Sequence, residues 1–332
     1  MRKGNTRDTP AAELAERASA LLAATAVLAL LLLSTLLPAE GKRLMANLTA
    51  PVGIASANTS EAPLPDTEPS LADVDADIPS AVYARLLKIT AEVLDKPSSL
   101  ILGEDGPQIL IYHTHDTEAY TQTAGHEYVP SGDWRTEDAS CSVIAVGEEL
   151  ARILNEDYGI ETIHDTTRHE PPLITTAYTR SLETMLAYKQ QYPSLKMFID
   201  LHRDGVGSSG YEDDYVVIDG VRCARLMFVV GAGRNSAGTE EDPKPDLESN
   251  YALALGLTQR LLSYNENFCR SVRVKSGRYN QHVSNKCILV EVGHNANTLE
   301  QALASMPYLA AAIAETAGVP AANKPISFSP RL

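Results

Sequence analysis

KMFIDLHRDG, at positions 196–205, is an apolar run that ends abruptly in charged residues. ILIYHTHDTEAY at 109–120 and CILVEVGHNANT at 287–298 follow the same pattern. Short apolar runs bounded by Gly, Pro and Asp are typical of strands buried in a parallel sheet. Ligands bind beyond the carboxyl ends of such strands, so the three polar endings are predicted to share one edge of a sheet.

Amphipathic segments separate these runs, which gives a βαβ rhythm along most of the chain. We therefore predict a three-layer α/β fold, with a central, mostly parallel sheet and helices on both faces. Thr298 and Gln301 are spaced as a capping box at the start of the last helix. A further strand is expected at 159–165. YVVIDG (215–220) and RLMFVVGAG (225–233) are expected to form a hairpin. Helices are expected at 81–96, 141–156, 175–190, 249–264 and 298–317.

The N-terminal part contains a long uncharged run, ALLAATAVLALLLLSTLL at 20–37. It is long enough to cross about 30 Å of hydrocarbon as a helix. Four basic residues precede it and two follow it closely, which favours a cytoplasmic N-terminus. We predict a single-pass protein of the cell membrane, with residues 1–19 in the cytoplasm and the remainder extracytoplasmic. A cleaved signal peptide is the alternative.

Composition divides the rest of the chain. Residues 38–80 are rich in Ala, Pro, Ser, Thr and acidic residues, so we expect a disordered extracytoplasmic linker. A catalytic domain is predicted at 81–320 and a tail at 321–332. The net charge of −15, without a basic cluster beyond the N-terminus, argues against a nucleic-acid partner. The four cysteines have no tight spacing and are expected to be buried free thiols, with disulfides as the alternative.

Two histidines and one carboxylate at the strand ends indicate a catalytic zinc site. His115 and Glu118 form an H-x-x-E pair, and His202 follows another strand. Three such ligands leave the fourth position of a tetrahedral zinc ion open for water. We interpret these residues as the ligands of a Zn²⁺ cofactor.

Glu291 lies at the end of the apolar strand ILVEV, where an unpaired carboxylate is costly to bury. We predict that it is the catalytic base; a salt bridge to Arg203 is the alternative. His113 is two residues before His115, so it is a candidate for orienting that ligand or for replacing Glu118. Arg203 is a candidate for binding or polarising substrate and Asp204 for orienting its neighbours, whereas His126, His164, His169 and His282 are expected to be structural.

Several of these stretches together closely resemble the stage II sporulation protein P family. The resemblance runs from about Gln108 to Glu315. It is carried by IYHTHDTEAY, VGEELARILNEDYGI, IHDTTRH, TRSLETMLAYKQQYPSLKMFIDLHRDG, and LVEVG followed by NANTLEQA.

This family looks related to zinc N-acetylmuramoyl-L-alanine amidases, so the resemblance implies an amidase-like fold and peptidoglycan as substrate. It implies amidase activity, and endopeptidase activity as well, in endospore engulfment with a lytic transglycosylase partner. His115 and His202 match the zinc histidines and Glu291 the catalytic glutamate. The acidic ligand matches Glu137 or Asp138 by position in the related amidases, and Glu118 by local spacing; we favour Glu118. His294 stands where a glycine or small polar residue is expected.

Two other functions are compatible with the same residues. A catalytically inactive wall-binding or scaffolding protein would retain the fold without the chemistry. A zinc carboxypeptidase would also use an H-x-x-E pair with a distant histidine.

Overall fold

The computed structural model describes residues 72–75, 78–96, 99–103, 105–170, 172–206, 213–235 and 238–320. The predicted segments at 1–19, 20–37 and 321–332 lie outside these residues, as does most of the predicted linker. None of the helices in the described part combines the length and apolarity needed to cross a membrane.

Seven strands form the central sheet, in the order β1-β10-β9-β11-β6-β2-β5. All neighbouring pairs are parallel except β9 and β11, so the prediction of a mostly parallel sheet is confirmed. These strands are β1 (Ala72–Val74), β2 (Ile109–Tyr112), β5 (Thr162–His164), β6 (Met197–Asp204), β9 (Leu226–Gly231), β10 (Val272–Lys275) and β11 (Cys287–His294). Two small hairpins stand apart from it, formed by β3 (Pro130–Gly132) with β4 (Arg135–Thr136) and by β7 (Tyr215–Ile218) with β8 (Val221–Ala224).

Helices cover both faces of the sheet, as predicted. On one face Met185 packs against Tyr112 and Phe198. On the other face Gly147 lies against His113, which alternates with Tyr112 along the chain. In the described part of the chain, the helices are α1 (Ser80–Asp95), α2 (Val143–Glu156), α3 (Ala177–Gln191), α4 (Leu247–Tyr264) and α5 (Leu299–Thr316).

Local signals in the sequence explain several element boundaries. Thr298 and Gln301 form the predicted capping box at the start of α5. All four cysteines are buried and free, which confirms the prediction about them. The 3₁₀ turns at Ala139–Cys141, Ile174–Thr176 and Gln281–Val283 fill gaps between the longer elements.

The predicted hairpin of YVVIDG with RLMFVVGAG is wrong. Tyr215–Ile218 pairs instead with Val221–Ala224. Asp219 and Gly220 both have positive φ, as the two central residues of a tight hairpin turn do. The chain therefore reverses direction directly after Ile218. Leu226–Gly231 then enters the main sheet between β10 and β11.

The boundary predicted at residue 81 is also too late. Ala72–Val74 is a strand that pairs in parallel with Val272–Val274, although it lies within the predicted linker. Composition alone missed it because the strand has only three residues and its hydrogen bonds are with a strand 200 residues away.

A bulge shapes the end of β11. Glu291 is opposite His202, yet His294 is opposite Asp204, so β11 contains one extra residue over this interval. Gly293 has a φ of +64°, and a Cβ there would be 2.7 Å from Asn297 Oδ1. A glycine is therefore required directly after the segment that carries Glu291.

We predict that Gly147→Ala destabilises the protein, although this change usually stabilises a helix interior. A Cβ at position 147 would lie 2.7 Å from His113 Nε2 and 2.8 Å from His164 Nε2, and both rings are confined between α2 and the sheet. We expect a loss of about 1 to 3 kcal/mol in the free energy of unfolding, typical of overpacking, measured by denaturant titration.

Ala151→Gly in the same helix is the control. It is expected to destabilise by about 1 kcal/mol or more, which is the usual order of Ala over Gly. A Gly147→Ala protein more stable than the wild type would contradict the packing described for His113 and His164.

Candidate active site

His115, His202 and Glu291 come together at one edge of the sheet. His202 and Glu291 are register partners on neighbouring parallel strands, so their side chains leave the same face. His115 lies in the turn that follows β2, the strand on the other side of β6. The ring centroids of His115 and His202 are 5.3 Å apart. The predicted convergence of three strand ends is confirmed for these residues.

Glu118 reaches the same cluster and is almost fully buried. Its Oε2 accepts a hydrogen bond from the backbone N of Arg203 at 3.1 Å and lies 3.4 Å from His202 Nδ1. Burial works against its ionisation, but His202 and Arg203 outweigh burial and lower the pKa of Glu118 to about 2. Glu118 is therefore an anion held directly beside one ring nitrogen of His202.

His202 lies between two carboxylates. Its Nε2 forms an ion pair with Asp200 Oδ1 at 2.8 Å. Asp200 also accepts two hydrogen bonds from Thr114, through the backbone N and Oγ1. Burial lowers the pKa of His202, but Asp200 and Glu118 raise it well above its ordinary value.

Glu170 is a site residue that the sequence analysis missed. Its Oε1 pairs with His115 Nδ1 at 2.8 Å and also with Arg135. Asp116 accepts hydrogen bonds from the backbone N of His169 and of Glu170, which fixes this loop to the turn after β2. Glu170 follows β5, a fourth strand of the same parallel set, so the strand-end rule applied to IHDTTRHE would have found it.

Arg135 and Tyr178 complete the surroundings of the cluster and were not singled out from the sequence. Arg135 contacts Glu170 and lies 3.8 Å from Glu118 Oε1, so one guanidinium neutralises both carboxylates. Tyr178 packs edge-on against His115, with ring centroids 5.7 Å apart. No local motif marks either residue, because both reach the site through the tertiary fold.

Among the described residues, Glu291 has no partner for its buried carboxylate oxygen Oε2. Burial is the largest cause that raises its pKa, to about 8, and the charge of Glu118 adds to the effect. The alternative of a salt bridge to Arg203 is not seen. A buried carboxyl group with a pKa near neutrality is the property expected of a general base.

The guanidinium of Arg203 is bonded to backbone carbonyl groups. Its side chain donates to the carbonyl oxygens of Ala119 at 3.0 Å and of Trp134 at 2.7 Å, and only 6% of the residue is exposed. It therefore fixes the loop that follows Glu118. Asp204 forms an ion pair with Arg270 at 2.9 Å, which agrees with an orienting role.

The expectation for His113 is wrong. His113 is buried on the α2 face, where its Nδ1 is 2.8 Å from Leu201 O and its Nε2 is 2.9 Å from His164 Nε2. It continues the alternation of β2, whereas the chain turns at 114–117 and carries His115 to the other face. Burial lowers the pKa of His113 to about 3, so the ring is neutral.

Most remaining candidates have structural partners. Asp138 is exposed, and its Oδ1 accepts hydrogen bonds from Ser140, while Glu137 is also exposed. His126 pairs with Glu300, and His169 bonds to the carbonyl of His113. The Nδ1 of His294 accepts a hydrogen bond from the backbone N of Ala296, which uses that nitrogen to close a turn.

In the described part of the chain, no three His, Cys, Asp or Glu side chains already surround one point suited to a metal ion. The donor types nevertheless fit zinc. Two imidazoles and an anionic carboxylate are the ligand types of a catalytic zinc site, and Glu170 and Asp200 each pair with one ring nitrogen of His115 and His202, as carboxylates that orient zinc-binding histidines do.

Solved structures with low similarity to this chain include two N-acetylmuramoyl-L-alanine amidases. The catalytic domain of an N-acetylmuramoyl-L-alanine amidase from Bacillus (Paenibacillus) polymyxa var. colistinus is 14% identical, with a TM-score of 0.38, and 64% of this chain and 99% of that domain are covered. An N-acetylmuramoyl-L-alanine amidase of Nostoc punctiforme is 16% identical, with a TM-score of 0.37, and 64% and 97% are covered. At such scores the likeness gives no information about the activity of this chain.

Comparison of sequences identifies the family. The chain is 26% identical over 208 residues to stage II sporulation protein P of Bacillus subtilis (strain 168), a match covering 59% of this chain and 48% of that protein. It thus spans about half the length of that relative. The family model for stage II sporulation protein P matches residues 65–314, which include β1, every site residue and most of α5. The chain therefore belongs to the stage II sporulation protein P family.

Proposed function

We propose that this protein is a zinc-dependent peptidoglycan hydrolase that cleaves the amide joining muramic acid to its stem peptide. One observation carries the proposal: the buried Glu291 oxygen, unpaired among the described residues, lies in the same strand-end cluster as His115, His202 and the anionic Glu118. A scaffolding protein would have no use for a costly, unpaired carboxylate at this place.

His115, His202 and Glu118 are the residues that would hold the zinc ion. When bound, zinc acts as a Lewis acid toward a carbonyl oxygen and lowers the pKa of water, which promotes hydrolysis at neutral pH. Because His202 lies between Asp200 and Glu118, it carries a proton that metal binding must displace. Glu118 is already anionic and needs no such change.

Glu291 is the proton carrier in this proposal. Its raised pKa, to about 8, makes it strong enough to take a proton from attacking water and acidic enough to pass it to the leaving nitrogen. Arg203 holds the loop that follows Glu118 through the carbonyls of Ala119 and Trp134. Tyr178 packs against the His115 ring and limits its rotation.

The biological setting is proposed from the family and the N-terminal sequence. The apolar run at 20–37 would anchor the enzyme, with its catalytic domain outside the cytoplasm facing peptidoglycan. Endospore engulfment, additional endopeptidase cleavage and cooperation with a lytic transglycosylase are the family properties that we extend to this chain.

Removing a metal ligand and removing the base are expected to have different effects. His115→Ala and His202→Ala should lose both zinc and activity, since two protein ligands hold zinc too weakly. Glu291→Gln should retain about one zinc per chain while turnover falls by roughly 10²- to 10⁴-fold. Elemental analysis and release of stem peptides from purified peptidoglycan measure the two properties.

His126→Ala is the matched control, because His126 pairs with Glu300 at the surface. It should retain zinc and turnover. Near-normal hydrolysis by Glu291→Gln would remove Glu291 from the mechanism.

Glu118 and Glu170 are expected to differ in their effect on metal affinity. Glu118→Gln should abolish stoichiometric zinc binding. Glu170→Gln should weaken zinc binding by about 10- to 100-fold, as for residues that orient a ligand, because Glu170 pairs with His115 Nδ1 and orients that ring. Competition titration with a chromogenic chelator gives both affinities. The reverse order would identify Glu170 as the acidic ligand.

A reporter fused after Leu332 tests the anchor. The fusion should be active only outside the cytoplasm and should sediment with the membrane fraction, because basic residues before the apolar run retain the N-terminus inside. Recovery of a soluble protein shortened near residue 40 would show that the segment is a cleaved signal peptide.

A further inference from the structure

A cleft lies in the loop that connects β2 to β4. Its volume is about 450 Å³, within the usual range for small-molecule sites. The lining residues are Thr121, Gln122, Tyr128, Pro130, Asp133 and Trp134. None of them belongs to the zinc and base cluster described above.

The lining chemistry suits a carbohydrate. Two aromatic side chains and a proline provide flat apolar surfaces, and Thr121, Gln122 and Asp133 provide hydroxyl, amide and carboxylate groups around them. Sugars combine apolar ring faces with a rim of hydroxyls and amides, so they match a surface of this kind. No Lys or Arg lines the cleft, and the protein carries a net charge of −15, so an anionic ligand would be disfavoured.

Trp134 is held in a strained backbone conformation. Its φ is +49°, which is unusual for a bulky residue. Its carbonyl oxygen accepts hydrogen bonds from Ala119 N at 3.0 Å and from Arg203 Nη2 at 2.7 Å, and these bonds hold the conformation. Strain at a half-buried aromatic residue that the surroundings maintain is typical of functional positions.

The same bonds connect the cleft to the catalytic cluster. Arg203 and Ala119, which bond to each other, directly follow His202 and Glu118 in the chain. Arg135 is the neighbour of Trp134 and contacts both Glu118 and Glu170. At the other end Thr121 bonds to the carbonyls of Asn295 and Asn297, just beyond β11. Three strand ends that carry the proposed catalytic residues therefore also position this cleft.

We propose that this cleft binds the glycan strand of peptidoglycan, a β-1,4-linked oligosaccharide of N-acetylhexosamines, next to the amide that is cleaved. The inference rests on the proposed function, since a glycan subsite beside the cluster is useful only to an enzyme acting on glycan-linked peptides. It names the part of the substrate that the loop at 121–134 recognises.

Trp134 is the only tryptophan in the chain, so its fluorescence reports directly on the cleft. Chitotetraose, which contains no peptide and no muramoyl amide, is the probe. Titration of the full-length, detergent-solubilised protein should give a saturable change in Trp134 emission. By calorimetry Trp134→Ala should weaken binding by about tenfold or more, whereas Trp134→Phe should retain most of the affinity.

Val129→Ala is the control, because Val129 is 85% exposed in the same loop and does not line the cleft. It should bind chitotetraose like the wild type. Asp133→Ala is a second, exposed variant that should weaken binding even if Trp134→Ala fails to fold. No saturable change in the wild type, or equal affinity in the Trp134→Ala and Asp133→Ala proteins, would overturn the proposal.

Glu291→Gln separates this inference from the proposed function. It should bind chitotetraose with unchanged affinity, since Glu291 does not line the cleft. Normal glycan binding by a wild-type protein that releases no stem peptide would refute the amidase and leave the cleft assignment standing.

Discussion

Parallel pairing of β2, β6 and β11 is the constraint on which the site depends. Parallel strands in one sheet end at the same edge, and register decides which side chains share a face. Glu291 opposite His202 follows directly from the β11–β6 register, and the bulge at Gly293 starts only after Glu291 has been placed. A shift of one residue in either strand would move one of these side chains to the opposite face.

Gathering several buried ionisable groups costs desolvation free energy when the groups have no partners. The structure offsets that cost with partners arranged in pairs. Arg135 faces Glu118 and Glu170, Thr114 satisfies Asp200, and Asp116 receives the backbone of the loop that carries Glu170. Glu291 is the exception, and its unpaired oxygen and raised pKa distinguish it from the structural carboxylates.

Much of the fold and part of the site could be predicted from local patterns. The apolar runs before His202 and Glu291 are strands, the capping box begins α5, and His115, Glu118 and His202 lie together. His113 was misplaced because the period of two applies only while the strand continues, and β2 ends at Tyr112. Glu170 follows β5 and the strand-end rule covers it, whereas Arg135 reaches the site through a loop whose course depends on tertiary contacts. The strand β1 is too short, at three residues, to show periodicity.

Mass spectrometry of purified peptidoglycan, digested by the full-length protein with and without a zinc chelator, tests the central claim most directly. The account predicts free stem peptides with a new N-terminal alanine amine, glycan strands whose muramic acid has regained its free carboxyl, and loss of both products with the chelator. Intact peptidoglycan, or products cut only within the glycan or within the peptide, would contradict the assignment of His115, His202 and Glu291 to an amidase centre.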